Sequence, residues 1–151
     1  MPSSKVQLQA VIPPEERYIL NEQVGFLLRV AVQRHTAIFT AHMIDGLTQT
    51  QFAAIAKLNE VGPCSQNQLG RLIYLDGATI KGVVDRLSLR RLVTVVNDTT
   101  DRRRRAVALT TRGREIAEKA LKEAAEISTA TLSPLSRDEQ LQLARLLKRI
   151  A

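Results

Sequence analysis

A chain of 151 residues that is 44% hydrophobic and 25% charged can bury a core and is too apolar to remain unfolded. Aromatics make up only 3% and Trp is absent, so the core must come from Leu, Ile, Val and Ala, which suits helices packed on helices. The formal net charge of +7 points to a polyanionic partner, and the single cysteine, Cys64, excludes an internal disulfide. No apolar run reaches the length of a membrane span and no signal peptide is visible, so a reducing, cytoplasmic setting without a membrane partner is expected.

In chain order, residues 1–14 end in Pro13-Pro14 and read as a flexible N-terminal arm. From Tyr18 to His42, apolar residues recur at Leu20, Val24, Leu27, Val30, Ala31 and Ile38, the period of a long helix, which Asp45-Gly46 ends. Thr48 and Gln51 make a capping box for a second helix carrying Phe52, Ile55 and Leu58, stopped by Gly62-Pro63. Ser65 with Gln68 makes another capping box and opens a short third helix, with Leu69 and Leu72 facing inward. A fourth helix runs from about Asp76 to Arg90 on a stripe of Ile80, Val83, Val84 and Leu87.

The periodicity then changes. Leu92 to Val96 is short and β-branched and reads as a strand; Ala106 to Leu109 reads as its returning partner. Between them lie a turn-like stretch and the run Arg102 to Arg105, which makes a β-hairpin with a basic tip. Thr111 is expected to cap a fifth helix reaching about Thr131, Ser133-Pro134 breaks it, and Ser136 with Glu139 opens a last helix.

The charge is not spread evenly. Arg71 to Arg114 holds 11 Lys and Arg against 4 Asp, while the remainder of the chain holds 11 of each sign. The whole excess therefore lies on the third and fourth helices, the hairpin and the start of the fifth helix, which is the footprint of one docking face.

Two short helices followed by a basic hairpin read as a winged helix-turn-helix that binds double-stranded DNA. The fourth helix is the reader, and its buried stripe leaves Gly77, Ala78, Thr79, Lys81, Gly82, Asp85 and Arg86 facing out. Three of these are very small, so the helix can approach base edges closely. Thr79 and Lys81 are the candidates for base contacts, and Arg71 and Arg86 for phosphates. The first turn of the third helix, Ser65, Gln66 and Gln68 among it, offers backbone N–H groups to a phosphate. On the wing, Arg102 or Arg103 is expected in the minor groove and Arg104 or Arg105 on phosphates, with Asp101 orienting one guanidinium through a bidentate salt bridge.

These residues resemble the MarR family of bacterial regulators. The matching pieces are Leu47-Thr48 with Gln51, Asp85 and Leu87, Leu92-Val93, Asp101-Arg102-Arg103, Leu109-Thr110 and Gly113, in order and spacing over residues 20–150. The chain departs from the pattern at Arg91, where Gly is usual, at Val95 and Val96, where a basic pair is common, and at Gly82, where a larger polar residue is common. The resemblance implies a mainly α fold with a small β-hairpin wing, flanked by long N- and C-terminal dimerisation helices. It divides the chain into the arm at 1–14, a dimerisation helix at 15–46, a DNA-binding lobe at 47–110 and C-terminal dimerisation helices at 111–151. It also implies a homodimeric repressor on a near-palindromic operator, released by a small aromatic acid or its coenzyme A thioester.

For such an effector the sequence offers His35, Phe39 and His42 on one face of the first helix, with Arg29 and Arg34 nearby to hold a carboxylate or phosphate. Cys64 before a helix raises a redox-sensing alternative, and a non-DNA-binding interaction module on the same fold is another. No catalytic set, metal-ligand set, phosphate loop or nucleophile elbow is recognisable, so neither an enzyme nor a cofactor is expected.

Overall fold

A computed structural model describes residues 17–97, 100–101 and 104–151. The expected arm at 1–14 and the wing arginines Arg102 and Arg103 lie outside the described residues. The chain comprises two units, one ending at Arg34 and one running from His35 to Ala151. A 3-10 turn at Leu20–Glu22 precedes helix α1, Val24–His42; a second 3-10 turn at Ile44–Gly46 follows it. Helices α2 (Gln49–Val61), α3 (Gln66–Leu72) and α4 (Gly77–Leu89) come next, then strands β1 (Val93–Asn97) and β2 (Arg105–Leu109), then α5 (Thr111–Leu132) and α6 (Arg137–Ile150).

Local chemistry sets these boundaries. The Thr48 hydroxyl accepts from the Gln51 N–H and the Gln51 side-chain carbonyl accepts from the Thr48 N–H, both at 3.2 Å, closing the predicted capping box. Gly62, at φ 81°, turns the chain out of α2 in a conformation that costs other residues a clash at Cβ. At α3 only half of the predicted box forms: the Ser65 hydroxyl accepts from the Gln68 N–H at 3.1 Å. Leu72 does not face inward as expected but is 37% exposed; Gly70 is buried in its stead, with α4's Ile80 close behind it. The cap of α5 is Thr110, not Thr111. Its hydroxyl accepts from the Gly113 N–H at 2.9 Å while donating to the Arg91 carbonyl at 2.7 Å.

The core is aliphatic. Ile55 of α2, Leu69 of α3, Ile80 and Leu87 of α4 and Leu92 are essentially inaccessible, each contributing about 1.5–3 kcal/mol of transfer free energy. Ala117 and Ala120 of α5 are fully buried where that helix packs on α2, and their small size permits the close approach. The wing is an antiparallel pair running from Val93 opposite Leu109 to Asn97 opposite Arg105. Val93 and Val107 point into the core, while Thr94 to Asn97 are exposed. A bridge outside the hairpin joins Cys64 to Val107 through N–H···O bonds of 2.8 and 3.2 Å, fastening the α2–α3 connection to β2.

Arg91, where the family pattern has Gly, adopts φ 58°. This left-handed conformation costs a side-chain-bearing residue about 1–2 kcal/mol, partly offset by glycine's greater entropy loss on folding. Arg91→Gly is therefore expected to stabilise the fold by about 0.5–1 kcal/mol and raise the thermal midpoint by roughly 2–4 °C. A lower midpoint in a denaturation scan would mean that the Arg91 side chain contributes more than its backbone costs.

Candidate nucleic-acid interface

The reader helix α4 presents the face expected of it. Ile80, Val83, Val84 and Leu87 are buried, while Gly77, Ala78, Thr79, Lys81, Asp85 and Arg86 are exposed and Gly82 is half-buried. Asp76 caps the helix by accepting from the Thr79 N–H at 2.7 Å. The Thr79 backbone and hydroxyl hold its carboxyl below the usual carboxylate range. A fixed negative charge thus sits at the start of α4, which sets phosphates elsewhere. Of the two candidates for base contacts, Thr79 is exposed with its hydroxyl turned to the Asp76 carboxylate, while Lys81 lies 2.8 Å from Asp85 one turn on. Both partners are well exposed, so this pair is worth less than about 1 kcal/mol and yields readily to a better acceptor.

The phosphate candidates converge from two elements. A groove of about 700 Å³ lies between the start of α3 and the wing, and Ser65, Gln68, Arg71, Arg104 and Arg105 all line it, with Cys64 at its floor. The three guanidinium-bearing residues are exposed. Gln66 is half-buried outside the lining, whereas its neighbour Asn67, which the sequence reading passed over, belongs to it. The position of Asn67 within the first turn of α3 was the signal that could have found it. The Gln68 N–H is already taken by the Ser65 hydroxyl, so of this residue it is the side chain that faces the groove. Arg86 is exposed on α4. Asp101 Oδ2 lies 3.9 Å from Arg104 Nε, and the Asp101 carbonyl accepts from the Arg104 N–H at 3.0 Å; a bridge to Arg102 or Arg103 lies outside the described residues.

A second feature is lined by residues of α1, α2 and α5. His35 and Phe39 line a cavity of about 170 Å³ together with Gln49, Phe52, Ile127 and Ser128. The Phe39 and Phe52 rings sit 6.0 Å apart, and His35 Nδ1 is 2.8 Å from the Thr131 hydroxyl. A neighbouring recess of about 420 Å³ shares Phe39 and Gln49 and extends along Gly46 to Thr50. The Gln49 amide donates to the Thr36 hydroxyl at 2.9 Å. His42, at the end of α1, is exposed and lines neither space. Arg29 and Arg34 are exposed, Arg29 with its guanidinium 5.2 Å above the Phe26 ring. Gln49, Phe52, Ile127 and Ser128 were missed because they meet His35 only through tertiary packing. Among the described residues no His, Cys, Asp or Glu cluster could hold a metal ion, and no helix is long and apolar enough to cross a membrane.

A brace helix, a reader helix and a basic hairpin beside them define a winged helix-turn-helix of the kind found in DNA-binding transcription regulators. Within that class, residues 45–104 match the model of the MarR family. The chain is 40% identical over 134 residues to the HTH-type transcriptional repressor NicR of Pseudomonas putida, covering 88% of this chain and 85% of NicR. A probable transcriptional regulator from Pseudomonas aeruginosa is 49% identical, with a TM-score of 0.85 over 88% of this chain and 100% of that one. BpsR of Bordetella bronchiseptica, whose DNA binding is regulated by 6-hydroxynicotinic acid, is 38% identical, with a TM-score of 0.83 over 89% and 96% of the two chains. The chain belongs to the MarR family and is a DNA-binding transcription regulator.

Proposed function

We propose that the protein is a homodimeric repressor that holds a near-palindromic operator until a small aromatic carboxylic acid, most closely a hydroxylated pyridine carboxylate, releases it. The observation that carries the DNA-binding half is the groove in which Ser65, Gln68 and Arg71 face Arg104 and Arg105. Three cations around a polar concavity suit one stretch of phosphate backbone. In this reading Arg102 or Arg103 enters the minor groove, Asp101 supports the wing, Arg86 adds a phosphate contact, and Thr79 and Lys81 meet base edges. Gln66 stands beside the groove and plays at most a supporting part.

Dimerisation is supported by apolar surface at both ends of the chain. Tyr18, Leu20, Val24 and Leu27 are at least half exposed, and α6 buries none of its residues while exposing Leu141 and Ile150. A second copy is the simplest cover for such faces.

The effector half rests on the cavity at His35 and Phe39 and on the likeness to BpsR. Drug-sized ligands occupy sites of about 300–1,000 Å³. A space of about 170 Å³ between aromatic rings takes one six-membered ring with its carboxylate, and a coenzyme A thioester would have to place its nucleotide outside. Redox control through Cys64 is disfavoured, because the thiol is buried and burial pushes its pKa up, away from the reactive thiolate.

The test is selection of genomic fragments on the pure protein, followed by fluorescence-anisotropy titration of the enriched fragment with and without 6-hydroxynicotinic acid, benzoic acid or benzoyl-coenzyme A. The expected result is one enriched fragment whose affinity falls at least tenfold with the pyridine acid, which also raises the melting midpoint of the free protein. No enrichment over bulk DNA would remove the regulator reading. A response to the thioester alone would overturn the free-acid effector.

A further inference from the structure

The effector cavity shares Phe39 and Gln49 with the larger recess beside it, and one side chain joins the wall of that recess to the reader helix. Arg90 is the C-cap of α4. Its Nη2 donates to the backbone carbonyl of Asp45, and its Nη1 reaches Gln51 Oε1 at 3.5 Å. That same Oε1 accepts from the Thr48 N–H and so closes the α2 capping box. Gln51 is the one buried polar residue among the described residues, 8% exposed, so its amide has no water to fall back on.

The two acceptors of Arg90, on Asp45 and Gln51, flank the segment Gly46, Leu47, Thr48, Gln49 and Thr50 that walls the larger recess. This segment enters α2 through two consecutive left-handed residues, Asp45 at φ 53° and Gly46 at φ 61°. Asp45, which bears a side chain in this left-handed conformation, has a more ordinary backbone state open to it. The rest of the contact between α2 and α4 is aliphatic and non-directional, so it tolerates a small rotation of one helix on the other. The fork of Arg90 is directional and does not.

We propose that Arg90 is the positioning residue that couples the effector recess to the reader helix. With the recess empty, the fork fixes the C-terminal end of α4 in the DNA-competent orientation. A ligand that displaces residues 46–50 moves the Asp45 carbonyl and the Gln51 amide together and frees that end. The effector part of this proposal rests on the function proposed above; the mechanical link between Arg90 and the segment does not.

The experiment therefore has two arms on the full-length protein. Without ligand, amide hydrogen exchange is compared for wild type, Arg90→Ala and Arg90→Lys. Arg90→Ala is expected to speed exchange at least tenfold both at 47–51 and at 87–91, leaving α5 unchanged. Arg90→Lys, which keeps one donor for the Asp45 carbonyl, is expected to fall between. Unchanged exchange at 47–51 in Arg90→Ala overturns the proposal.

With 6-hydroxynicotinic acid, the readout is the ratio of operator affinities in the absence and presence of ligand. Arg90→Ala is expected to bring this ratio to within twofold of one while the acid binds the free protein within threefold of wild type. A lost phosphate contact would lower affinity equally with and without ligand and leave the ratio intact, and an intact ratio also overturns the proposal. If wild type itself ignores the acid, the effector reading fails and the exchange arm decides the role of Arg90 alone.

Discussion

Replacing Arg71, Arg104 and Arg105 together with alanine is expected to weaken operator binding by at least about 100-fold at ~0.15 M salt while leaving the circular dichroism spectrum and the mass in solution unchanged. All three side chains are exposed, and nothing in the core depends on them. They share one groove although more than thirty positions of sequence separate Arg71 from Arg104 and Arg105, so a single stretch of backbone would lose three counter-charges at once. Each phosphate contact removed should flatten the plot of log affinity against log salt by about one unit. A triple variant with the wild-type salt slope would mean that the groove does not face DNA. Lys81→Ala should behave differently, changing the preference among operator sequences more than the salt slope, because the role proposed for Lys81 is at the base edges.

The largest loss of stability is expected at Gly113. A Cβ there would overlap the Leu92 carbonyl oxygen, which is backbone and already accepts the Thr110 N–H at 3.1 Å. The Leu109 side chain closes the site from another direction at 3.3 Å. Gly113→Ala must therefore push the start of α5 away from the reader-helix-to-wing junction, at a cost of about 3 kcal/mol or more. In a chain of this size that corresponds to a fall in thermal midpoint of roughly 6–12 °C. A midpoint within 2 °C of wild type, read by differential scanning calorimetry, would show that the junction can open without penalty.

Much of the fold was legible because its signals are local. Thr48 with Gln51 and Ser136 with Glu139 are reciprocal caps that operate within four residues, and both form as read. The stripe of Ile80, Val83, Val84 and Leu87 follows from helical period alone and so assigns the outward face of α4. Errors fall where local rules are silent. Leu72 has the spacing of a core residue, but α3 lasts only seven residues and closes around Gly70, whose missing side chain admits α4. Thr110 and Thr111 are equal as caps on paper; the register of β2 decides between them by directing the Thr110 hydroxyl to the Arg91 carbonyl. At the site, Ser65, Gln68, Arg71, Arg104 and Arg105 are legible in the sequence as polar and basic residues, whereas Asn67 and the groove that brings them together come from tertiary packing. His35 and Phe39 were identified from one helix face, whereas the Gln49, Phe52 and Ile127 walls come from helices that only tertiary packing brings near.

The pair of hydrogen bonds between Cys64 and Val107 has a consequence for how DNA is measured. It makes the entry to α3 and the second wing strand parts of a single frame, so Arg71 on one side and Arg104 and Arg105 on the other stand at a fixed span. A frame of this kind works as a caliper. On the function proposed above, it would grip duplexes whose backbone spacing already matches its jaws and impose a bending cost on those that do not. With so few long side chains on the reader helix, the stiffness of the operator and the width of its grooves become a second alphabet, spelled in base steps that no residue touches.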